Sequence, residues 1–263
     1  MLLTADIGNT NMVLGTFDDA GTPLASVRVG TRRDATADEI AMTVAHLCRR
    51  TPEREMGIRR TVLCSVVPSL TRTFAAYVER ELGHVATVVS AELDLGIAVA
   101  VDDPREVGAD RITNAIAARD LVGVPAIVVD LGTATNFDVL DPAGRYVGGV
   151  IAPGIETASD DLFRRAARLS KVDLSFPRSV IGSNTADCLR SGILNGAVGL
   201  IDTLVDAIRG ELGQPATSIA TGGLAPLIGP RCRTVDRVDV GLTLSGLLSI
   251  DRTLRARSEG ERV

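Results

Sequence analysis

A chain of 263 residues, 45% hydrophobic and 23% charged, carries enough apolar mass for one large domain or two ordinary ones. A net charge of −5 without a basic stripe, and aromatic residues at 3% with no tryptophan, exclude the electrostatic and stacking signature of nucleic-acid binding. Four scattered cysteines (Cys48, Cys64, Cys188 and Cys232) form no C-x-x-C pair and there are only two histidines, which argues against a zinc site and suits a reducing cytoplasm.

The first predicted strand runs into Asp6-Ile7-Gly8-Asn9-Thr10, and a second follows over Met12–Phe17. A turn at Asp18–Gly21 leads to a third apolar stretch near Leu24–Val29. A helix is expected over Thr36–Arg50 with Asp34 as its cap, then a strand over Arg60–Val66. Pro68-Ser69 opens a helix over Leu70–Leu82, and Val85–Val89 reads as a strand. The acidic segment from Asp102 leads through Gly108-Ala109-Asp110-Arg111 into a helix ending before Gly123. The break at Gly123-Val124-Pro125 divides the chain into expected domains 1–123 and 124–263.

After the break the opening pattern returns. Ala126–Asp130 is a strand, Leu131-Gly132-Thr133-Ala134 a turn, and Phe137–Leu140 a second strand. A turn at Asp141–Gly144 then leads into Arg145–Val147. Helices are expected over Thr185–Gly210 and Leu242–Arg257, with a strand over Thr217–Ala220 that runs into Gly222-Gly223. The tail from Arg255 is charged and expected to fray. No apolar run approaches the ~20 residues of a membrane span, and the first residues lack a signal-peptide pattern, so no membrane association is expected.

The repeated Asp-x-Gly-x-Thr has a chemical reading. Glycine lets backbone approach a ligand, successive N–H groups and a Thr hydroxyl cradle phosphate oxygens, and the carboxylate holds a cation that neutralises them. One such turn is equally an ordinary hairpin. Two copies in the same strand–turn–strand setting point to a nucleotide gripped from both halves. Asp110-Arg111 at a helix start offers a base beside an anion-binding fork, or else a capping Asp beside a solvated Arg.

In sequence the whole chain resembles the type III pantothenate kinases. The resemblance rests on Asp6-x-Gly8-Asn9-Thr10, Gly108-x-Asp110-Arg111 and Asp130-x-Gly132-Thr133-Ala134. It extends to Gly148-Gly149-x-Ile151-x-Pro153-Gly154, to Ser179–Thr185 and to Ala220–Ala225, all in family order. It implies an α/β fold of two ribonuclease-H-like, actin-like domains. Each would be a mixed five-stranded sheet flanked by helices, with ATP in the cleft between them. It implies that Asp6, Ile7, Gly8, Asn9, Thr10, Asn11, Met12 and Val13 bind ATP, with Thr133 on the second turn. Asp110 would be the general base; Gly108, Ala109, Asp110, Arg111 and Thr185 would bind pantothenate. Asp130 would hold potassium or ammonium, and Asp6 would meet the magnesium that travels with ATP. A homodimer is implied, with Thr185 reaching a partner's pocket.

The pattern is not followed everywhere. Asn136 stands where the family has a further hydroxyl, and Val101 where many members have a Tyr. Asn195 falls in a helix that often carries aromatics, and Ser245 replaces a Glu. These departures leave open a kinase for another hydroxylated acceptor. A non-catalytic regulator that kept the fold is the other alternative.

Overall fold

The computed structural model describes all residues except 52–56, 91, 167–168 and 261–263, together with the backbone alone of 259–260. Two mixed five-stranded sheets form, each in its own compact unit.

In the first unit β1 (Leu2–Ile7) pairs antiparallel with β2 (Asn11–Phe17), which pairs antiparallel with β3 (Pro23–Gly30). On its other side β1 pairs parallel with β4 (Arg60–Ser65), and β4 with the short β5 (Thr87–Val88). Burial on both faces explains why β1 carries Leu2, Leu3, Ala5 and Ile7 on both sides of the strand and buries even Thr4, in place of a clean apolar–polar alternation.

The second unit repeats this order. β6 (Ala126–Leu131) pairs antiparallel with β7 (Ala134–Leu140), and β7 with β8 (Tyr146–Pro153). β6 also pairs parallel with β9 (Thr217–Thr221), and β9 with β10 (Arg237–Val238). β6 matches β1 in burial position by position, as β7 matches β2. Both meanders have an irregularity near the end of the second strand, at Thr16/Phe17 and at Val139/Leu140. The sequence repeat is therefore a repeat of register, and it sets Asp6 and Asp130 at the same point of their sheets.

Helix α1 (Ala37–Arg50) is capped by Thr36, not Asp34. The Thr36 hydroxyl accepts from the Glu39 N–H at 3.3 Å while Glu39 accepts from the Thr36 N–H at 2.8 Å. This reciprocal box satisfies two orphan donors, which a lone Asp two residues upstream cannot do. Its Ile40, Val44 and Leu47 face the core. α2 (Pro68–Tyr77) starts on Pro68 and widens into a π-turn over Val78–Leu82, closed by left-handed Gly83. α3 (Ala109–Val122) has an almost wholly buried middle.

Helix α4 (Ile155–Arg165), absent from the sequence reading, follows β8. α5 (Thr185–Leu212) is capped by Asn184 and ends at left-handed Gly213; α6 (Ala225–Ile228) is one turn. By length and composition alone α5 is long and apolar enough to cross a membrane, a test that a core helix also passes; Arg190, Asp202, Asp206 and Arg209 interrupt its apolar run. Its inner stripe of Leu194, Ile201, Val205 and Ile208 packs into the second unit's core.

The final helix, α7 (Leu242–Gly260), stays helical past the point where fraying was expected. Leu244, Leu247 and Ile250 join Leu2, Val62, Ile112 and Ile116 in one apolar cluster. Thr243 donates a hydrogen bond to Asn114 on α3, and Arg60 on β4 bridges to Asp251 at 3.1 Å. A Cβ at Gly246 would lie 2.2 Å from the Thr113 carbonyl oxygen, so glycine permits the close approach of α7 to α3. The first unit accordingly comprises Met1–Asp120 and Gly241–Val263, and the second Leu121–Val240, in place of a single division after residue 123.

Candidate active site

Each unit presents a tight glycine turn at the end of its central strand. In the first, Gly8 donates its N–H to the Asn11 carbonyl at 3.0 Å, closing the turn between β1 and β2. The segment after β3 buttresses it: the Thr31 hydroxyl donates to the Gly8 carbonyl at 2.7 Å, and the Thr31 N–H to the Thr10 carbonyl at 2.9 Å. Asn9 and Thr10 at the tip are exposed.

Asp6 lies just before this turn, beside Cys64 in the parallel register of β4. The Cys64 thiol donates to Asp6 Oδ1 at 3.5 Å. Burial, reinforced by the like charge of Asp110, pushes the Asp6 carboxyl up to about 6; the Cys64 contact and Arg28 oppose this. Asp110, in the first turn of α3, is also raised by burial and is held back by the Arg111 N–H and guanidinium. The Arg111 N–H donates to Asp110 Oδ1 at 2.9 Å, a contact made from inside the first turn of α3 rather than from an N-cap position. It coexists with burial and with a second carboxylate in the same electrostatic field, which a solvated cap does not have. A Cβ at Gly108 would stand 2.5 Å from Asp110 Oδ1, so glycine there keeps the carboxylate's place clear. Burial of Cys64, followed by the negative charges of Asp6 and Asp110, raises its thiol well above the usual range.

The raised Asp6 has a consequence for stability. Its folded-state pKa of about 6 exceeds the ordinary 3.8. The stabilisation from proton uptake is therefore complete below the lower value and is lost as pH rises through the upper one. Asp6→Asn, neutral throughout, should melt higher than the parent at about pH 8, with about half of that gain gone at about pH 5 and most of it at about pH 4. Thermal melts of ligand-free protein across these pH values test this; an equal difference at each would remove Asp6 as the source.

In the second unit Asp130 is the penultimate residue of β6, opposite Asn136 on β7 and Thr221 on β9. Gly132 donates to the Ala134 carbonyl at 3.0 Å, the counterpart of the Gly8 turn two residues beyond its own aspartate. Two further glycines enclose it. A Cβ at Gly154 would lie 2.2 Å from the Thr133 carbonyl oxygen, and Thr157 also donates to that oxygen. Gly222, at φ +93°, would place a Cβ 2.6 Å from both Asp130 Oδ1 and the Leu131 carbonyl oxygen. Glycine thus leaves open a cradle walled by one carboxylate oxygen and one carbonyl oxygen. That hard-oxygen donor set fits a simple cation. Among the described residues no three His, Cys, Asp or Glu side chains gather as a metal cluster.

Thr185 is the first residue of α5, on the rim of an apolar cavity of ≈ 500 Å³ between α4 and α5. Ile155, Leu162, Ile193 and Leu200 supply much of its lining. Asp6, Gly8–Val13, Gly108, Ala109, Asp110 and Arg111 all belong to the first unit, and Asp130, Thr133 and Thr185 to the second. Sequence reasoning missed Cys64, whose only signal was its place in the predicted strand Arg60–Val66, and the Thr31–Arg33 segment behind the first turn.

Paired β–turn–β meanders with an aspartate before each glycine turn, on twin five-stranded sheets, define the actin-like ATPase and sugar-kinase class. Solved structures agree on the fold. A Baf-family protein from Campylobacter jejuni, described as a transcriptional activator, superposes with TM-score 0.60 at 17% identity, covering 97% of this chain and 99% of that one. The ADPNP-bound activator of 2-hydroxyisocaproyl-CoA dehydratase from Clostridium difficile gives 0.54 at 11% identity, covering 98% and 97%.

The chain belongs to the type III pantothenate kinase family, whose model matches residues 2–207. The type III pantothenate kinase of Moorella thermoacetica is 46% identical over 94% of this chain and 97% of its own length. That of Parafrankia sp. is 49% identical over 94% and 96%, and that of Rhodococcus erythropolis 43% identical over 100% and 99%.

Proposed function

We propose that this enzyme transfers the γ-phosphoryl group of ATP to the primary alcohol of pantothenate, forming 4'-phosphopantothenate at the entry to coenzyme A biosynthesis. The observation that carries the reading is the half-buried Asp110 carboxylate, kept clear by Gly108 and in one electrostatic cluster with Asp6 and its glycine turn. Asp110 accepts the alcohol proton as the oxygen attacks phosphorus. Arg111 and the Gly108-Ala109 backbone orient the acceptor. Asp6 through Val13 hold the phosphates on the first turn, and Thr133 holds them on the second. Phosphoryl transfer needs positioning and charge neutralisation more than covalent help, and this inventory is built for both.

Asp130 and the Leu131 carbonyl would hold the monovalent cation. Potassium or ammonium there, with magnesium on the nucleotide near Asp6, supplies positive charge beside the phosphates. Thr185 contacts pantothenate from a homodimer partner. The support for a dimer is the outer face of α5, where Leu200 is exposed and Gly192, Gly196 and Gly199 leave the helix open to close approach. A cytoplasmic setting suits the four cysteines, all free thiols.

ADP release with magnesium ATP tests this directly. Release should require pantothenate and run faster in potassium or ammonium than in sodium alone. A folded protein that binds ATP but ignores pantothenate would move the acceptor elsewhere, with Val101, Asn136, Asn195 and Ser245 as the residues to vary. A protein without affinity for ATP would be a regulator. Equal rates in every salt would remove the cation from Asp130.

A further inference from the structure

Arg32 and Arg33 are adjacent and both exposed, yet they have different surroundings. Arg32 is committed to carboxylates: its Nη1 lies 2.6 Å from Glu39 and its Nε 3.9 Å from Asp34. Arg33 has no such partner, since among the described residues no carboxylate forms an ion pair with it. Its guanidinium instead donates from Nη2 to the Asn9 side-chain oxygen at 3.2 Å, at the tip of the first glycine turn.

The position is fixed from behind. The Arg33 carbonyl accepts from the Ser69 hydroxyl at 3.1 Å. Thr31, two residues earlier, is bound to the Gly8 and Thr10 carbonyls. Thr31 and Arg33 therefore move with the turn. One of the five guanidinium N–H donors is used on Asn9, which leaves most of the fork for a ligand. A cation held on a neutral amide, at the mouth of a turn of backbone donors, is suited to an incoming anion. There is also an electrostatic need for it. Asp6 and Asp110 set two carboxylates beside that turn, and a polyphosphate approaching them requires a compensating charge.

We infer that Arg33 is a nucleotide-binding residue: its planar guanidinium contacts the terminal phosphate oxygens of ATP seated on the Gly8–Thr10 turn. Arg suits this better than Lys because two parallel N–H donors match two phosphate oxygens. The inference rests on the reading that this turn carries the phosphates, and it adds a side chain from outside the glycine motif.

The experiment compares the parent with Arg33→Ala, Arg33→Lys and Arg32→Ala. Calorimetry gives the affinity for magnesium ATP, and steady-state kinetics give kcat and KM for each substrate. Arg33→Ala should weaken ATP binding and lower kcat/KM for ATP by about 10–100-fold, the usual effect of losing a charge-assisted contact. KM for pantothenate and the melting temperature should stay at parental values. Arg33→Lys should fall between, and a few millimolar guanidinium, by rough analogy to the lost fork, should restore part of the Arg33→Ala rate without stimulating the parent. Arg32→Ala should leave ATP binding unchanged. Parental ATP affinity in Arg33→Ala overturns the inference, as does a loss that guanidinium does not relieve and that tracks a lowered melting temperature. Parental ADP release tests the kinase reading separately. If the parent binds ATP without phosphorylating pantothenate, the calorimetric comparison still decides the role of Arg33; if it binds no ATP, both readings fall.

Discussion

Replacing Asp110, the proposed general base, by asparagine should lower kcat by about 10²–10⁴-fold. The substitution keeps shape and the local contact, since an amide oxygen can still accept from the Arg111 N–H now 2.9 Å from Oδ1. It removes the proposed proton acceptor and one of two like charges, because Asp110 helps raise Asp6. Folding should therefore survive, and the melting temperature should hold or rise. ATP binding should persist, since the first turn is closed by its own backbone bond at Gly8. Single-turnover phosphorylation, calorimetry and thermal melts check the three parts. Near-parental turnover would take the base role away from Asp110.

On the homodimer proposed above, Gly196→Glu should give a monomer and abolish pantothenate-dependent turnover while ATP binding remains. A Cβ at Gly192, Gly196 or Gly199 on α5 would meet nothing within 4 Å, so this face can be approached closely by another surface. Apolar groups accompany it: Leu200 is partly exposed, and the cavity beside α5 also receives Leu162. A carboxylate introduced there would lose water on association without gaining a partner, at a cost of several kcal/mol, roughly. The isolated chain should tolerate the change, because Glu is favoured over Gly in a helix by ~1 kcal/mol. Gly210→Glu, on the same helix and equally unobstructed, is the control and should alter neither mass nor rate. Sedimentation velocity and the ADP-release assay read both variants. A parent that sediments as a monomer while fully active would end the argument for Thr185 acting across a dimer.

Both glycine turns were legible in the sequence because each lies at the end of a doubly buried strand, where an apolar run stops at Asp-x-Gly. Repetition of that run made the twin sheets legible too. Helix α4 was not, because Gly154 offers no capping side chain and Pro153 precedes it at the strand end. The cap of α1 was legible in principle: Thr36 and Glu39 have the spacing of a reciprocal box, and the Asp34 reading overlooked it. The different surroundings of Arg32 and Arg33 were not. They depend on which side chain the capping Glu39 meets, a matter of helix phase that two adjacent arginines do not reveal. The destination of α7 was equally hidden, since an apolar helix carries no address and the close fit of Gly246 to Thr113 exists only in three dimensions.

That destination bears on synthesis. The second unit is one continuous stretch inserted into the first, so it has all its strands and helices in hand once Val240 is made. The first unit does not. Leu2 and Val62 emerge from the ribosome long before Leu244, Leu247 and Ile250, the side chains that cover them. Domains usually complete in order from the N-terminus during translation. In this chain the order is inverted: the half that starts first finishes last, and its open sheet is the surface on which a chaperone would act during translation.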